Sequence, residues 1–134
     1  MQLLILFLHI LKTDFKLFKH KTILFIISMR EIVSENDFQE VLMHNKFVLV
    51  DFYATWCGPC RTLSQWLEQF GHENPNLLIV KVNVDSHENL ASDHEVSALP
   101  TLKLFYKGVE TGRYEGCSKS HLDSIKNEMN KQHY

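Results

Sequence analysis

Apolar side chains fill residues 47–53 on both alternating sets of positions, apart from Asp51. A strand that is apolar on both faces is typical of a central parallel strand with helices packed on each side. Apolar residues then recur at i, i+3, i+4 and i+7, namely Leu63, Trp66, Leu67 and Phe70. That spacing marks one face of an amphipathic helix. The pattern therefore predicts a buried strand leading into a helix.

Strand and helix patterns alternate through the rest of the chain after residue 30. The expected further strands cover residues 31–33, 77–82, 101–106 and 109–114, the last two joined by a hairpin at Lys107-Gly108. Gly112 makes the last strand less regular. The expected further helices begin at Ser34, where Asp37 completes a capping arrangement, at Asp85-Ser86 and at Ser118. Their apolar positions are Phe38, Val41, Leu42, Leu90, Ala91, Leu122, Ile125 and Met129.

Composition indicates one soluble globular domain, since the chain has 134 residues, 45% of them hydrophobic and 22% charged. Residues 1–28 carry four lysines and one aspartate, whereas the rest carries 10 basic and 15 acidic residues. A mildly acidic domain without a basic patch argues against nucleic acid as a partner.

Residues 1–28 contain two apolar blocks, at 3–11 and 23–27, and neither reaches the roughly 20 residues that a membrane-spanning helix needs. The lysines lie between the blocks and arginine is absent, which fits neither a secretory signal nor a mitochondrial presequence well. We expect an N-terminal extension, helical if ordered, before a domain at residues 29–134 that could begin at Met29. Targeting and membrane contact through the extension stay open.

Candidate chemistry is concentrated in Trp56-Cys57-Gly58-Pro59-Cys60, at the start of the predicted helix. A helical first turn brings residues i and i+3 to one side, so the two cysteines can close a small disulfide ring. Backbone N–H groups and the helix dipole favour a thiolate at Cys57, which is the expected nucleophile. Pro59 suits the first turn and stiffens the ring. Cys60 is then the resolving thiol that releases a substrate held in a mixed disulfide.

This pentapeptide, with Val50-Asp51-Phe52-Tyr53-Ala54-Thr55 before it and Leu99-Pro100-Thr101 and Gly116 after it, resembles the thioredoxin family over about residues 30–134. The resemblance implies an α/β fold of the thioredoxin type, a central mixed β-sheet flanked by helices on both faces. It also implies a protein disulfide reductase. Gly-Pro between the cysteines is typical of reducing thioredoxins, whereas isomerase-type oxidases commonly carry histidine there.

Asp51 and Lys81 receive their roles from the resemblance. From the residues alone, Asp51 is either a buried proton acceptor or a carboxylate that reaches solvent at the strand end. An isolated lysine such as Lys81 in an apolar strand usually points at solvent. The family places the aspartate beneath the active site, as general base toward Cys60, with the lysine close enough to tune it.

Pro100 would be trans on sequence statistics, but the family has a cis proline here that faces the two cysteines. In that arrangement the backbone of Leu99 pairs with an extended substrate. Residues expected to form a flat apolar docking surface are Trp56, Gly58, Pro59, Leu99, Pro100 and Gly116. Tyr53 replaces the tryptophan of the bacterial pattern, and we expect that change to affect packing and not chemistry.

Cys117 is interpreted as a small half-buried hydrophobic residue, with a regulatory or intermolecular thiol as the alternative. Cys57, Cys60, Cys117 and His121 formally offer a Cys₃His zinc set. We expect no metal, because an apolar strand followed by Gly-Pro suits a redox ring better than a zinc knuckle.

By resemblance, no cofactor is bound and electrons come from NADPH through a thioredoxin reductase. Expected clients include peroxiredoxins and methionine sulfoxide reductases, and the chain is expected to be a cytoplasmic monomer, or mitochondrial or secretory if residues 1–28 direct it there. Two functional alternatives stay open, namely a secretory disulfide oxidase or isomerase and a non-catalytic binding module with this fold.

Overall fold

The computed structural model describes residues 29–132. Its elements in chain order are β1 (Met29–Glu31), α1 (Glu35–His44), β2 (Phe47–Tyr53), α2 (Gly58–Glu73), β3 (Leu77–Asn83), α3 (Glu88–Asp93), β4 (Thr101–Tyr106), β5 (Val109–Glu115) and α4 (Lys119–Lys131). No helix within this part of the chain is long and apolar enough to cross a bilayer. The expectations about residues 1–28, including helix, targeting and membrane contact, lie outside the described residues.

Five strands form one mixed sheet in the order β1-β3-β2-β4-β5. Strands β1, β3 and β2 are parallel to one another. Strand β4 runs antiparallel to β2, and β5 runs antiparallel to β4. Lys107 and Gly108 both have positive φ, at 48° and 81°, as the tight turn of a two-residue hairpin requires. The register shifts between Leu104 and Phe105, opposite the region of Gly112 where an irregular strand was predicted.

Helices cover both faces of the sheet, so the predicted architecture is confirmed. The alternating side chains of β2 divide between two apolar layers, with Val48 and Val50 in the layer under α1 and α3. Phe47 and Leu49 belong to the layer under α2 and α4. Because side chains alternate along a strand, Asp51 points to the same face as Leu49, toward α2.

Two elements begin at other residues than the sequence predicts, and one predicted cap residue makes no cap bond. Strand β1 covers Met29–Glu31, two residues earlier than the predicted 31–33. It ends there because the Val33 amide donates to the Asp37 carboxylate at 3.0 Å, where the chain turns toward α1. His87, and not Asp85-Ser86, is the N-cap of α3, and it makes no side-chain cap bond. Ser118 stands at the N-cap of α4 as predicted, but its hydroxyl pairs with Ser120 instead.

Candidate active site

The two cysteines of the pentapeptide form a disulfide at the N-terminus of α2, with their Cα atoms 5.3 Å apart. Cys57 is the N-cap residue, and the Cys60 amide donates to Cys57 Sγ at 3.2 Å. Pro59 lies in the first helical turn, where its missing N–H leaves no helical bond unmade. An amide directed at one sulfur stabilises negative charge there, as a thiolate nucleophile needs.

Both sulfur-bearing residues are largely covered, Cys57 being 6% exposed and Cys60 3%. They form a small apolar cluster with Ala54, against which Tyr53 and Leu99 pack. Cys57 is the more exposed of the two, so it is the sulfur that a substrate reaches more easily.

Asp51 is fully buried on β2, and neither oxygen of its carboxyl has a hydrogen-bond partner among residues 29–132. Burial raises the pKa of Asp51, the Lys81 ammonium lowers it, and the Glu31 carboxylate raises it, with a result of about 7. A carboxyl with such a pKa can both take up and release a proton near neutrality. That property suits a general base.

Lys81 lies next to Asp51 in the sheet, as its direct partner across β2 and β3. Its ammonium donates to Ser64 Oγ at 3.3 Å and stands 4.0 Å from the centre of the Tyr53 ring. The lysine and Cys60 both line one cavity of about 400 Å³. This side chain therefore stays inside the site and does not extend freely into solvent.

Of the residues expected to receive a substrate, Leu99 packs against the cysteines, and Pro100 and Gly116 are joined by a backbone hydrogen bond. The Leu99–Pro100 peptide bond is cis, and the Pro100 carbonyl accepts the Gly116 amide at 2.8 Å. Gly116 has φ +83°, a conformation that residues with a Cβ rarely adopt. An ideal Cβ at Gly58 or Gly116 would meet no atom within 4 Å, so both glycines leave open space above the surface.

Trp56 is 69% exposed, and its indole N–H donates to the Asp85 carboxylate at 2.9 Å. The hydrogen bond restricts the orientation of this exposed ring, which lowers the entropy that a contact on the ring would cost. The sequence prediction missed Asp85 in this role and assigned it to a helix cap. No local pattern could have revealed the contact, because 29 residues separate the pair.

Cys117 is a free, half-buried cysteine that packs against the apolar layer under α2 and α4. Within residues 29–132, no three His, Cys, Asp or Glu side chains are grouped as a metal site would require. Cys117 and His121 therefore do not join the disulfide pair in one cluster there.

The family model described as Thioredoxin matches residues 29–131. Thioredoxin of Homo sapiens is 36% identical over 103 residues, covering 75% of this chain and 98% of the human protein.

Among solved structures, oxidised mitochondrial thioredoxin 3 of Saccharomyces cerevisiae has a TM-score of 0.71 and 32% identity, with 75% of this chain and 95% of that one covered. A chain from work on thiol resolution in yeast mitochondrial 1-Cys peroxiredoxin via glutathione/thioredoxin systems has the same TM-score at 31% identity, with the same coverage. The agreement of family model, sequence identity, fold and Cys57–Cys60 disulfide shows that this chain belongs to the thioredoxin family.

Proposed function

We propose that this protein reduces disulfide bonds in other proteins by thiol–disulfide exchange at Cys57 and Cys60. The observation that carries the proposal is the disulfide at the N-terminus of α2, with the Cys60 amide directed at Cys57 Sγ. Family membership supports the same activity, since the matching relatives are thioredoxins. Neither an oxidase or isomerase nor a non-catalytic binding module is favoured by these relatives.

The reaction begins from the reduced dithiol. The Cys57 thiolate attacks one sulfur of the client disulfide, so that a Cys57–client bond forms while the client S–S bond breaks and its other sulfur leaves as a thiolate. Cys60 then loses its proton and attacks Cys57 Sγ. The second client thiolate leaves, and the active site becomes the disulfide seen in this structure. The client gains two electrons and two protons.

Asp51 is proposed as the group that takes the proton from Cys60. Its buried carboxyl has a pKa of about 7, so a large fraction is ionised and able to accept a proton at neutral pH. Lys81 is proposed to tune this acceptor, because its charge opposes the effect of burial. Water is proposed to carry the proton, since Cys60 and Lys81, the sheet partner of Asp51, line one cavity.

The proposed docking surface consists of Trp56, Gly58, Pro59, Leu99, Pro100 and Gly116. An extended client segment would pair with the backbone at Leu99 while its apolar side chains cover the indole of Trp56. The exposed indole, the two open glycine positions and the packing of Leu99 on the cysteines support this assignment.

Regeneration of the dithiol needs a two-electron donor, for which we propose NADPH acting through a thioredoxin reductase. Disulfide-containing proteins are the client class, and peroxiredoxins and methionine sulfoxide reductases are proposed members. A similar solved chain comes from work on a peroxiredoxin, which supports the first of these.

We propose the cytoplasm as compartment, because a reducing dithiol is maintained there. Mitochondria are the alternative, since one similar structure is a mitochondrial thioredoxin.

The test is reduction of insulin disulfides by the purified chain with dithiothreitol as electron donor. We expect catalysis by the parent protein and loss of it in Cys57→Ser. Reduced Cys60→Ser, mixed with insulin after the dithiothreitol has been removed, should accumulate a client mixed disulfide, because the resolving thiol is absent. Cys117→Ser is the matched control and should retain the parent rate. Full activity of Cys57→Ser would overturn the proposed reaction.

A further inference from the structure

Tyr53 makes two contacts that a packing residue does not need. Its hydroxyl donates to Glu31 Oε1 at 2.7 Å, and its ring centre lies 4.0 Å from the Lys81 ammonium. A short hydrogen bond to a carboxylate is among the stronger ones that proteins make. The ring of Tyr53 is therefore fixed in place beside a charged group of the active site.

The sheet explains why these groups meet. Glu31 on β1 and Asp51 on β2 are both direct partners of Lys81 on β3, so the three side chains form one row across adjacent parallel strands. Tyr53 is two residues beyond Asp51 and points to the same face. To reach Glu31 from β2, the tyrosine must cross β3, and this path brings its ring against the Lys81 side chain.

Lys81 has two carboxylates as neighbours but forms an ion pair with neither in the described part of the chain. Its ammonium instead contacts the Tyr53 ring and Ser64 Oγ. A cation beside an aromatic face is stabilised by the ring quadrupole, typically by about 0.5–1 kcal/mol at exposed sites and more when desolvated. The favourable contact to the ring thus competes with an ion pair to Asp51.

We propose that Tyr53 is a positioning residue for disulfide exchange, which holds the Lys81 ammonium beside its ring and away from Asp51, with Glu31 fixing the tyrosine hydroxyl. This inference rests on the proposed role of Asp51 as base. Direct pairing with a lysine would favour the ionised carboxylate strongly. By preventing that pairing, Tyr53 keeps Asp51 able to gain and lose a proton near neutral pH.

Other charged groups near Asp51 bear on the test. The ionisable or redox-active groups facing this region are Glu31 of β1, Lys81 of β3, Tyr53 of β2, and the disulfide, Arg61 and Glu68 of α2. On the β4 side, the partner of Asp51 is the apolar Leu102. Of the two cations in this set, Lys81 is the one whose ammonium lies over the Tyr53 ring. Removing the Lys81 charge therefore gives the background in which an effect of the ring on the lysine must vanish.

The experiment is a double-mutant cycle of Tyr53→Leu and Lys81→Met, read by ¹³C NMR titration of aspartate carboxyls in the oxidised full-length protein. We expect Tyr53→Leu to lower the apparent pKa of Asp51 by about one pH unit, because an opposite charge at close range has effects of that size. In the Lys81→Met background the same substitution should shift it by less than half as much. If Tyr53→Leu does not fold, Tyr53→Met provides the second variant.

An unchanged titration of Asp51 in Tyr53→Leu would overturn the inference. So would an equal shift in both backgrounds, because the ring would then act by excluding water and not by holding the lysine. The titration uses oxidised protein and involves no turnover, so its result is separate from the insulin assay that tests the proposed function. Where Asp51 is the base, the pH profile of disulfide reduction should move in Tyr53→Leu in the same direction as the titration.

Discussion

Replacing Asp51 with asparagine should stabilise the oxidised protein at alkaline pH. The carboxyl is fully buried without a hydrogen-bond partner in residues 29–132, and its pKa is raised from an ordinary 3.8 to about 7. Between these two pH values the folded state holds a proton that the unfolded state has released. Folding stability therefore falls as pH rises through this window and becomes level above it.

The magnitude follows from the same pKa values. The interval between 3.8 and about 7, at about 1.4 kcal/mol for each pH unit, corresponds to about 4 kcal/mol. Asparagine has a similar shape and no charge, so Asp51→Asn lacks this pH-dependent loss. We expect its advantage in free energy of unfolding to be small near pH 4 and to approach about 4 kcal/mol at pH 8.5.

Equilibrium unfolding in urea, measured by far-UV circular dichroism at several pH values between 4 and 9, gives this difference directly. The matched control is Asp37→Asn. The pKa of Asp37 is lowered, mainly by its hydrogen bond with Arg30. The ionised carboxylate therefore stabilises the folded protein above the ordinary pKa of an aspartate, and this stabilisation is lost in acid. Asp37→Asn should therefore be less stable than the parent at neutral pH. An Asp51→Asn advantage that does not grow between pH 4 and pH 8 would refute the assignment of a buried, hard-to-ionise carboxyl.

Three further outcomes can be measured. Ser34→Ala should lower the free energy of unfolding by about 1 kcal/mol in a urea titration, because its side chain accepts the first-turn amide of α1, whereas Ser118→Ala should cost less because it makes no such bond. Gly116→Ala should lower the free energy of unfolding by about 1–2 kcal/mol, because residue 116 has a positive φ that alanine adopts only with strain. Gly58→Ala should not show this loss, because Gly58 does not have a positive φ. Asp85→Ala should raise KM for insulin more than it lowers kcat, because the exposed indole loses its anchor; a change in kcat alone would contradict the docking role.

Local sequence patterns determined much of the fold because they act between residues a few positions apart. The apolar residues of α2 recur at helical spacing, and the cysteines lie within its first turn, so neither the helix nor the disulfide depended on distant partners for its prediction. Strand β2 was likewise bounded correctly at Phe47–Tyr53, since its uninterrupted apolar character requires cover on both faces.

The surroundings of the disulfide were decided by tertiary structure. Tyr53 meets Glu31 from 22 residues away, and the exposed indole of Trp56 meets Asp85 from 29 residues away. Lys81 lies between two carboxylates only because β3 pairs with β1 on one side and β2 on the other. Periodicity along a chain reports which face a residue occupies but not which strand lies beside it, and the proton affinity of Asp51 depends on those neighbours. The sequence alone therefore determined the reactive cysteines, whereas strand pairing decided the groups that surround and tune them.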